Sequence, residues 1–387
     1  MKKSNLLKLA IGLTIITGLS ACAPVFEDVE KPEDSQPQVK NEKIVVGVIL
    51  PLSGNAASYG TPSQYVLEIA KAKINEKGGI GGKQLELAFE DGGCETEKAN
   101  SAVNNLINLK KVQVIVGGFC SSETLAGAPV AERNKVVLFS PGSSSPKITE
   151  AGDYIFRNYP SDNAQSGAIA EYANSQGFKN VGIITEEQPY SEGVADSFTK
   201  SFGGSVINEK YPVDSTDFKS QIDKLAAAKV DALFVNPQTP ASAAIIVKQL
   251  KEKGVKVPLL FNDVAIGAIN EVITPFSDYV EGAVGAEVPY NKDHAEFNEL
   301  ITAYKARTNE DIPYLSYMSP MYDTLFIIKE AIEKVGYDGT KIKDYLYTVQ
   351  GRVGVAGTLS FDENGDPDKS YRHALKKIVD GKVVDAK

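Results

Sequence analysis

The chain has 387 residues, 42% of them hydrophobic and 24% charged, with a formal net charge of −9. That length exceeds one compact core and predicts two domains, while the composition excludes a disordered chain and a multi-span membrane protein. An acidic balance with no basic block argues against nucleic acid, whose phosphates need lysine and arginine.

The first 22 residues read MKKSNLLKLAIGLTIITGLSAC. A basic start, a short apolar stretch from Leu9 to Leu19 and small residues before Cys22 fit an export signal over 1–21. The apolar stretch is short for a spanning helix, which needs about 20 residues. Leu19-Ser20-Ala21-Cys22 resembles the bacterial lipobox, which implies cleavage before Cys22 and lipidation of its thiol. The alternative is an ordinary signal with a chance cysteine. Several acyl chains hold a protein stably at a membrane, where one is marginal. Residues 22–42 carry prolines and acids without periodicity and read as a disordered tether, with a root-mean-square reach of roughly 25 Å.

From residue 43 strands and helices alternate. KIVVGVIL (43–50) reads as a buried strand, followed by a helix near 62–77 and the strand QLELAFED (84–91). A helix near 95–110, strand VQVIVG, a helix near 122–134 and strand VVLFSP complete a first α/β unit. The rhythm restarts with NVGIIT, SVINEKYP, VDALFVN and VPLLFND as strands separated by helices. Helices follow near 293–307 and 317–335, and Asp380-Gly381 suits a hairpin turn. The fold class is therefore α/β, with two parallel sheets in series. Ligands of such sheets sit beyond the carboxyl ends of the strands, so facing sheets would enclose a cleft.

With Cys22 lipidated, Cys94 and Cys120 remain, and an exported pair can close one disulfide. The loop would be worth roughly 3 kcal/mol on the chain-entropy model. Two separate free thiols are the alternative. No metal or other cofactor is expected, because neither cysteine has a C-x-x-C partner or a nearby histidine.

Enzyme motifs are weak. Ser144 to Lys147 matches S-x-x-K and Ser161-Asp162-Asn163 matches S-D-N, but the K-T-G that completes the serine β-lactamase set is absent. Neither His294 nor His373 lies in a strand-end loop of the predicted sheets, so a Ser–His pair has little support. GGIGGKQ lacks the spacing of a phosphate-binding loop, and Pro367 breaks the calcium-loop pattern of DENGD at 362–366. Two serine loops are more informative. VIVGGFCSSETLAG (114–127) brings a strand and glycines to Ser121 and Ser122 at a helix start, which can cap the helix or cradle an anion. FSPGSSSPKIT (139–149) ends the next strand with further small polar residues, and adjacent strand ends would bring both loops to one rim.

In order, NEKGGIGGKQLELAFED, GGFCSSETLAGAP, FSPGSSSPKIT and PYSEG resemble the leucine/isoleucine/valine-binding protein family, type I solute-binding proteins of ABC importers. The resemblance implies two doubly wound lobes joined by three crossovers, near 158–161, 286–290 and 354–358, closing on the ligand like a hinge. Lobe 1 would hold 43–159 and 288–356, and lobe 2 would hold 160–287 and 357–387. The family's disulfide falls on Cys94 and Cys120. Carried over by motif, Ser121 binds a ligand carboxylate, Gly142 offers a carbonyl to the ammonium, and Ser144 stands where the family often has threonine. Tyr59 walls the pocket from the first lobe. From the second, Tyr190 closes over the ligand, Asp263 pairs with the ammonium, and Gln238 falls near a position that is often aromatic.

The resemblance implies no enzyme. It implies a monomer that captures a small amino acid and delivers it to importer permease subunits, and the signal and lipobox-like residues predict that it is exported and lipid-anchored in the cell envelope. Tyr59, Phe119 and Tyr190 favour a neutral, aliphatic side chain, while Gln238 and Gln188 would suit a polar one. A same-fold sensor that signals to a receptor is the alternative, and a serine hydrolase comes third.

Overall fold

Short runs of Val, Ile, Leu and Phe, bounded by glycine or proline, form strands buried on both faces, the pattern of a parallel sheet covered by helices. The computed structural model describes residues 43–386. The signal segment 1–21, Cys22 and the tether 22–42 lie outside the described residues.

Strands β1 (Lys43–Leu50), β2 (Gln84–Asp91), β3 (Val114–Val116), β4 (Val137–Ser140) and β5 (Ile155–Arg157) form a parallel sheet in the order β2-β1-β3-β4-β5. Helices α1 (Ala57–Glu76), α2 (Thr96–Asn108) and α3 (Ser121–Asn134) connect the first four. Helix α4 (Asp162–Ser175) opens the second unit. Strands β6 (Asn180–Glu186), β7 (Ser205–Tyr211), β8 (Ala232–Asn236), β9 (Leu259–Phe261) and β10 (Val284–Glu287) alternate with α5 (Pro189–Ser201), α6 (Lys219–Ala227), α7 (Pro240–Glu252), α8 (Asp263–Gly267) and α9 (Ser277–Val280). Helices α10 (Ala295–Thr308), α11 (Leu315–Val335) and α12 (Gly339–Leu346) return to the first core. A small ladder, β11 (Arg352–Val353) with β12 (Thr358–Leu359), precedes the hairpin β13 (Ala374–Val379) and β14 (Lys382–Asp385). The hairpin extends the second sheet to β14-β13-β10-β9-β8-β6-β7. Its turn has positive φ at both Asp380 and Gly381, as a two-residue hairpin requires.

Strand order reverses between β1 and β3 in the first sheet and between β6 and β8 in the second. The crevice at such a reversal is where open parallel sheets bind ligands.

The third passage between sheets differs from expectation. Residues 357–371 do not join the second unit. Phe361 and Tyr371 bury against the first core, and Phe361 packs on Phe139 and Phe156. Arg157, fully buried at the end of β5, holds Asp366 through two bonds, Nε–Oδ1 at 2.7 Å and Nη2–Oδ2 at 2.6 Å. A charge buried that deeply needs its partner in place, so this segment stays on the first lobe and the chain crosses just before β13. The S-D-N match also finds its meaning here. Ser161 caps α4, its Oγ accepting from the Asn163 N–H at 3.4 Å.

Candidate functional site

Strand β3 gives way to Gly117 and Gly118, and α3 starts after the four residues 117–120, which places Ser121 at the carboxyl edge of the first sheet. The cap is not a serine hydroxyl. The buried carboxylate of Glu123 accepts the Cys120 and Cys94 N–H groups at 2.9 and 3.0 Å. Burial pushes Glu123 up to about 7 against the pull of those N–H donors. Ser122 donates to the Cys94 carbonyl at 2.7 Å, and Cys94 and Cys120 are joined as a disulfide, which excludes two free thiols. Ser121 is left for another task. Its Oγ accepts the Ser145 N–H at 3.1 Å, which leaves its own proton to give.

The loop after β4 packs directly on this one. Ser140 and Ser143 hydroxyls donate to the Gly118 carbonyl at 2.6 and 3.0 Å. A Cβ on Gly142 would lie 2.9 Å from a Phe119 ring atom, so glycine lets the two loops meet. Ser144 lies beside the first crossover, where its carbonyl accepts the Asp162 N–H at 2.8 Å.

On the second lobe Asp263 is the first residue of α8, wholly buried. Tyr159 and Tyr317 donate to its Oδ2 at 2.8 Å each, and Tyr190 donates to Oδ1. His373 Nε2 stands 3.6 Å from Oδ2, too far for a hydrogen bond. Burial would raise Asp263, but the His373 ring and the tyrosine hydroxyls prevail and hold it below the ordinary carboxylate value. Asp162 nearby goes the other way, raised by burial and by the charge of Asp263.

An aromatic wall joins the halves. Tyr59 stacks on Phe119 with ring centroids 5.0 Å apart, Tyr317 packs edge-on to Tyr59, and Tyr159 stacks on Tyr317 at 4.8 Å. Tyr59 is 1% exposed and its hydroxyl has no hydrogen-bond partner. Burial, then the charges of Tyr314, Asp263, Glu271 and Glu186, hold that hydroxyl well above its ordinary pKa. Glu186 ends β6, where its Oε2 accepts the Gln238 N–H at 3.0 Å and the Tyr211 hydroxyl at 3.2 Å. The lobes touch across the cleft. Ser145 Oγ donates to the Pro189 carbonyl at 3.0 Å, and Tyr314 donates to Glu271 at 2.6 Å. A Cβ on Gly193 would sit 2.8 Å from Pro146, so the glycine of PYSEG permits this approach.

The structure thus gathers Tyr59, Ser121, Gly142, Tyr190 and Asp263 around the cleft, holds Gln238 beside Glu186, and sets Ser144 beside Asp162. Tyr159, Tyr317, Glu186 and His373 are site neighbours that the sequence reading did not single out. His373, one of only two histidines in the chain, is set aside by the sequence reading because it lies in no strand-end loop of the predicted sheets.

Residues 43–374 match the family described as periplasmic binding protein. A leucine-, isoleucine-, valine-, threonine- and alanine-binding protein of Pseudomonas aeruginosa is 28% identical over 333 residues, 84% of this chain and 87% of that protein. The LivJ substrate-binding protein of a branched-chain amino acid transporter from Streptococcus pneumoniae, solved with isoleucine, is 27% identical. It superposes with a TM-score of 0.78, covering 88% of this chain and 98% of that one. A solute-binding protein of an ABC transporter from Rhodopseudomonas palustris BisB5, solved with 3,4-dihydroxybenzoic acid, is 25% identical with a TM-score of 0.74, covering 89% of this chain and 95% of that one. Among the described residues no helix is long and apolar enough to cross a membrane. The fold is the type I periplasmic binding protein fold, and with a match over most of its length the chain belongs to the periplasmic binding protein family.

Proposed function

We propose that the protein binds a small, neutral α-amino acid between its lobes and delivers it to an ABC importer. The observation that carries this reading is the pairing of Ser121, whose proton is free to meet a carboxylate, with Asp263, a buried carboxylate ringed by the Tyr159, Tyr190 and Tyr317 hydroxyls that can meet an ammonium. The two ends of a zwitterion find opposite partners in one cleft. The relatives that bind amino acids support the same choice. Calorimetry with leucine, valine, alanine and glutamine against their decarboxylated amines tests it. Binding of the acids and not the amines is expected, and an amine that binds as tightly as its amino acid defeats the reading.

An aromatic carboxylate is the second reading, favoured by the wall of Tyr59, Phe119 and Tyr317 and by the relative solved with 3,4-dihydroxybenzoic acid. It offers Asp263 no ammonium, and we place it behind the amino acid. Export and a lipid anchor at Cys22 complete the proposal, resting on the lipobox-like Leu19-Ser20-Ala21-Cys22. A Cys22→Ala variant should leave the membrane fraction and lose lipid label; retention of both overturns the anchor.

A further inference from the structure

Four residues end or follow strands at the two strand-order reversals. Tyr59 follows β1 and Ser121 follows β3 on the first lobe, while Glu186 ends β6 and Gln238 follows β8 on the second. Ser121 has the task proposed above. The others present polar atoms that the protein itself does not occupy. The Tyr59 hydroxyl is buried and unpartnered. Both protein contacts of the Glu186 carboxylate fall on Oε2, and neither involves Oε1. Gln238 is buried and meets Glu186 through its main-chain N–H, not its side-chain amide. An aliphatic ligand side chain closed among these groups would strip water from them and return no hydrogen bond.

Resting on the amino-acid reading, we propose that Glu186, Gln238 and Tyr59 form a subsite for a ligand side chain ending in a carboxamide. Its NH2 donates to Glu186 Oε1, and its carbonyl accepts from the Tyr59 hydroxyl or the Gln238 amide. The Gln238 N–H and the Tyr211 hydroxyl hold the Glu186 carboxylate in place, so the acceptor is fixed before a ligand arrives. The subsite offers both acceptor and donors, which a carboxamide uses in full. A lysine ammonium uses only the acceptors and a leucine uses neither. Sites built to hydrogen-bond a group discriminate strongly against analogues that lack it.

The test is isothermal calorimetry on the purified protein with L-glutamine, L-leucine and L-lysine, for the parent, Glu186→Gln and Tyr59→Phe. Glu186→Gln keeps the shape; its amide oxygen takes the Gln238 and Tyr211 donors, which turns an NH2 onto the ligand's NH2. The parent should prefer glutamine. Glu186→Gln should cut the glutamine-to-leucine preference roughly ten- to a hundredfold and Tyr59→Phe about two- to tenfold, the ranges of charged and neutral hydrogen bonds. Tyr59→Phe removes a hydroxyl without a partner, so it stands as the second variant if Glu186→Gln fails to fold. Tighter binding of leucine or lysine by the parent overturns the subsite alone, as does a preference unmoved by the variants. If none of these amino acids binds, the reading of Ser121 and Asp263 falls first and the subsite with it.

Discussion

The Ser145 hydroxyl donates to the Pro189 carbonyl across the cleft at 3.0 Å. The same residue's main-chain N–H orients the Ser121 hydroxyl at 3.1 Å. One serine therefore both latches the lobes and orients the hydroxyl proposed to meet a carboxylate. Ser145→Ala keeps the N–H and removes the latch. A single hydrogen bond is worth about 0.5–1.5 kcal/mol, so the closed-to-open ratio should fall roughly two- to tenfold. Small-angle scattering of the ligand-free variant should give a larger radius of gyration than the parent, and saturating ligand should bring the two together.

Ser121→Ala should weaken amino-acid binding roughly ten- to a hundredfold, because a hydrogen bond to a charged group contributes about 1.5–3 kcal/mol. Asp263→Ala should cost at least as much, since it strands the Tyr159, Tyr190 and Tyr317 hydroxyls as well. Calorimetry with the tightest ligand of a thermal-shift panel measures both.

Asp366→Ala leaves the Arg157 guanidinium buried with half its bonds broken. Breaking such a pair costs about 3–5 kcal/mol. Urea unfolding should show that loss, and Arg157→Met combined with Asp366→Ala should recover part of it.

Glu123 rises to about 7 and Asp323 to about 6 on folding. In each case burial is the leading cause and backbone N–H donors oppose it. The folded state therefore holds protons that the unfolded state releases near pH 4–4.5. Stability from these groups is full below that pH and is lost as pH rises through 6 to 7. For Glu123 the loss amounts to about 3 kcal/mol. Urea midpoints should fall from pH 4.5 to 7.5, and Glu123→Gln should remove the share of that slope that Glu123 supplies, leaving the share of Asp323.

The sequence makes the strands plain because Val-Ile runs stop at glycine or proline, as at Val114–Val116 before Gly117. Helix α4 was not legible. Its residues, DNAQSGAIAEYANS, are mostly small and give little contrast between faces. The serine loops could be read because strand, glycine and hydroxyl follow one another in the chain. The tyrosine cage of Asp263 could not, since Tyr159, Tyr190 and Tyr317 are far apart in sequence and meet only when the lobes do. The third crossing was misplaced because Arg157 gives no sign, in one dimension, that its partner is Asp366.

Asp263 is touched by residues of two of the connecting passages, Tyr159 on the first and His373 at the end of the third. It sits at the fulcrum, whereas Ser145 and Pro189 lie out on the lever arms. On the hinge that the resemblance implies, parting lobes would carry the rim far and move Asp263 little relative to those passages. On the proposed reading a visiting amino acid docks its cationic end first, at the still point. The swinging rim then delivers the cradle to the carboxylate, so capture and release run as an ordered, two-stroke cycle.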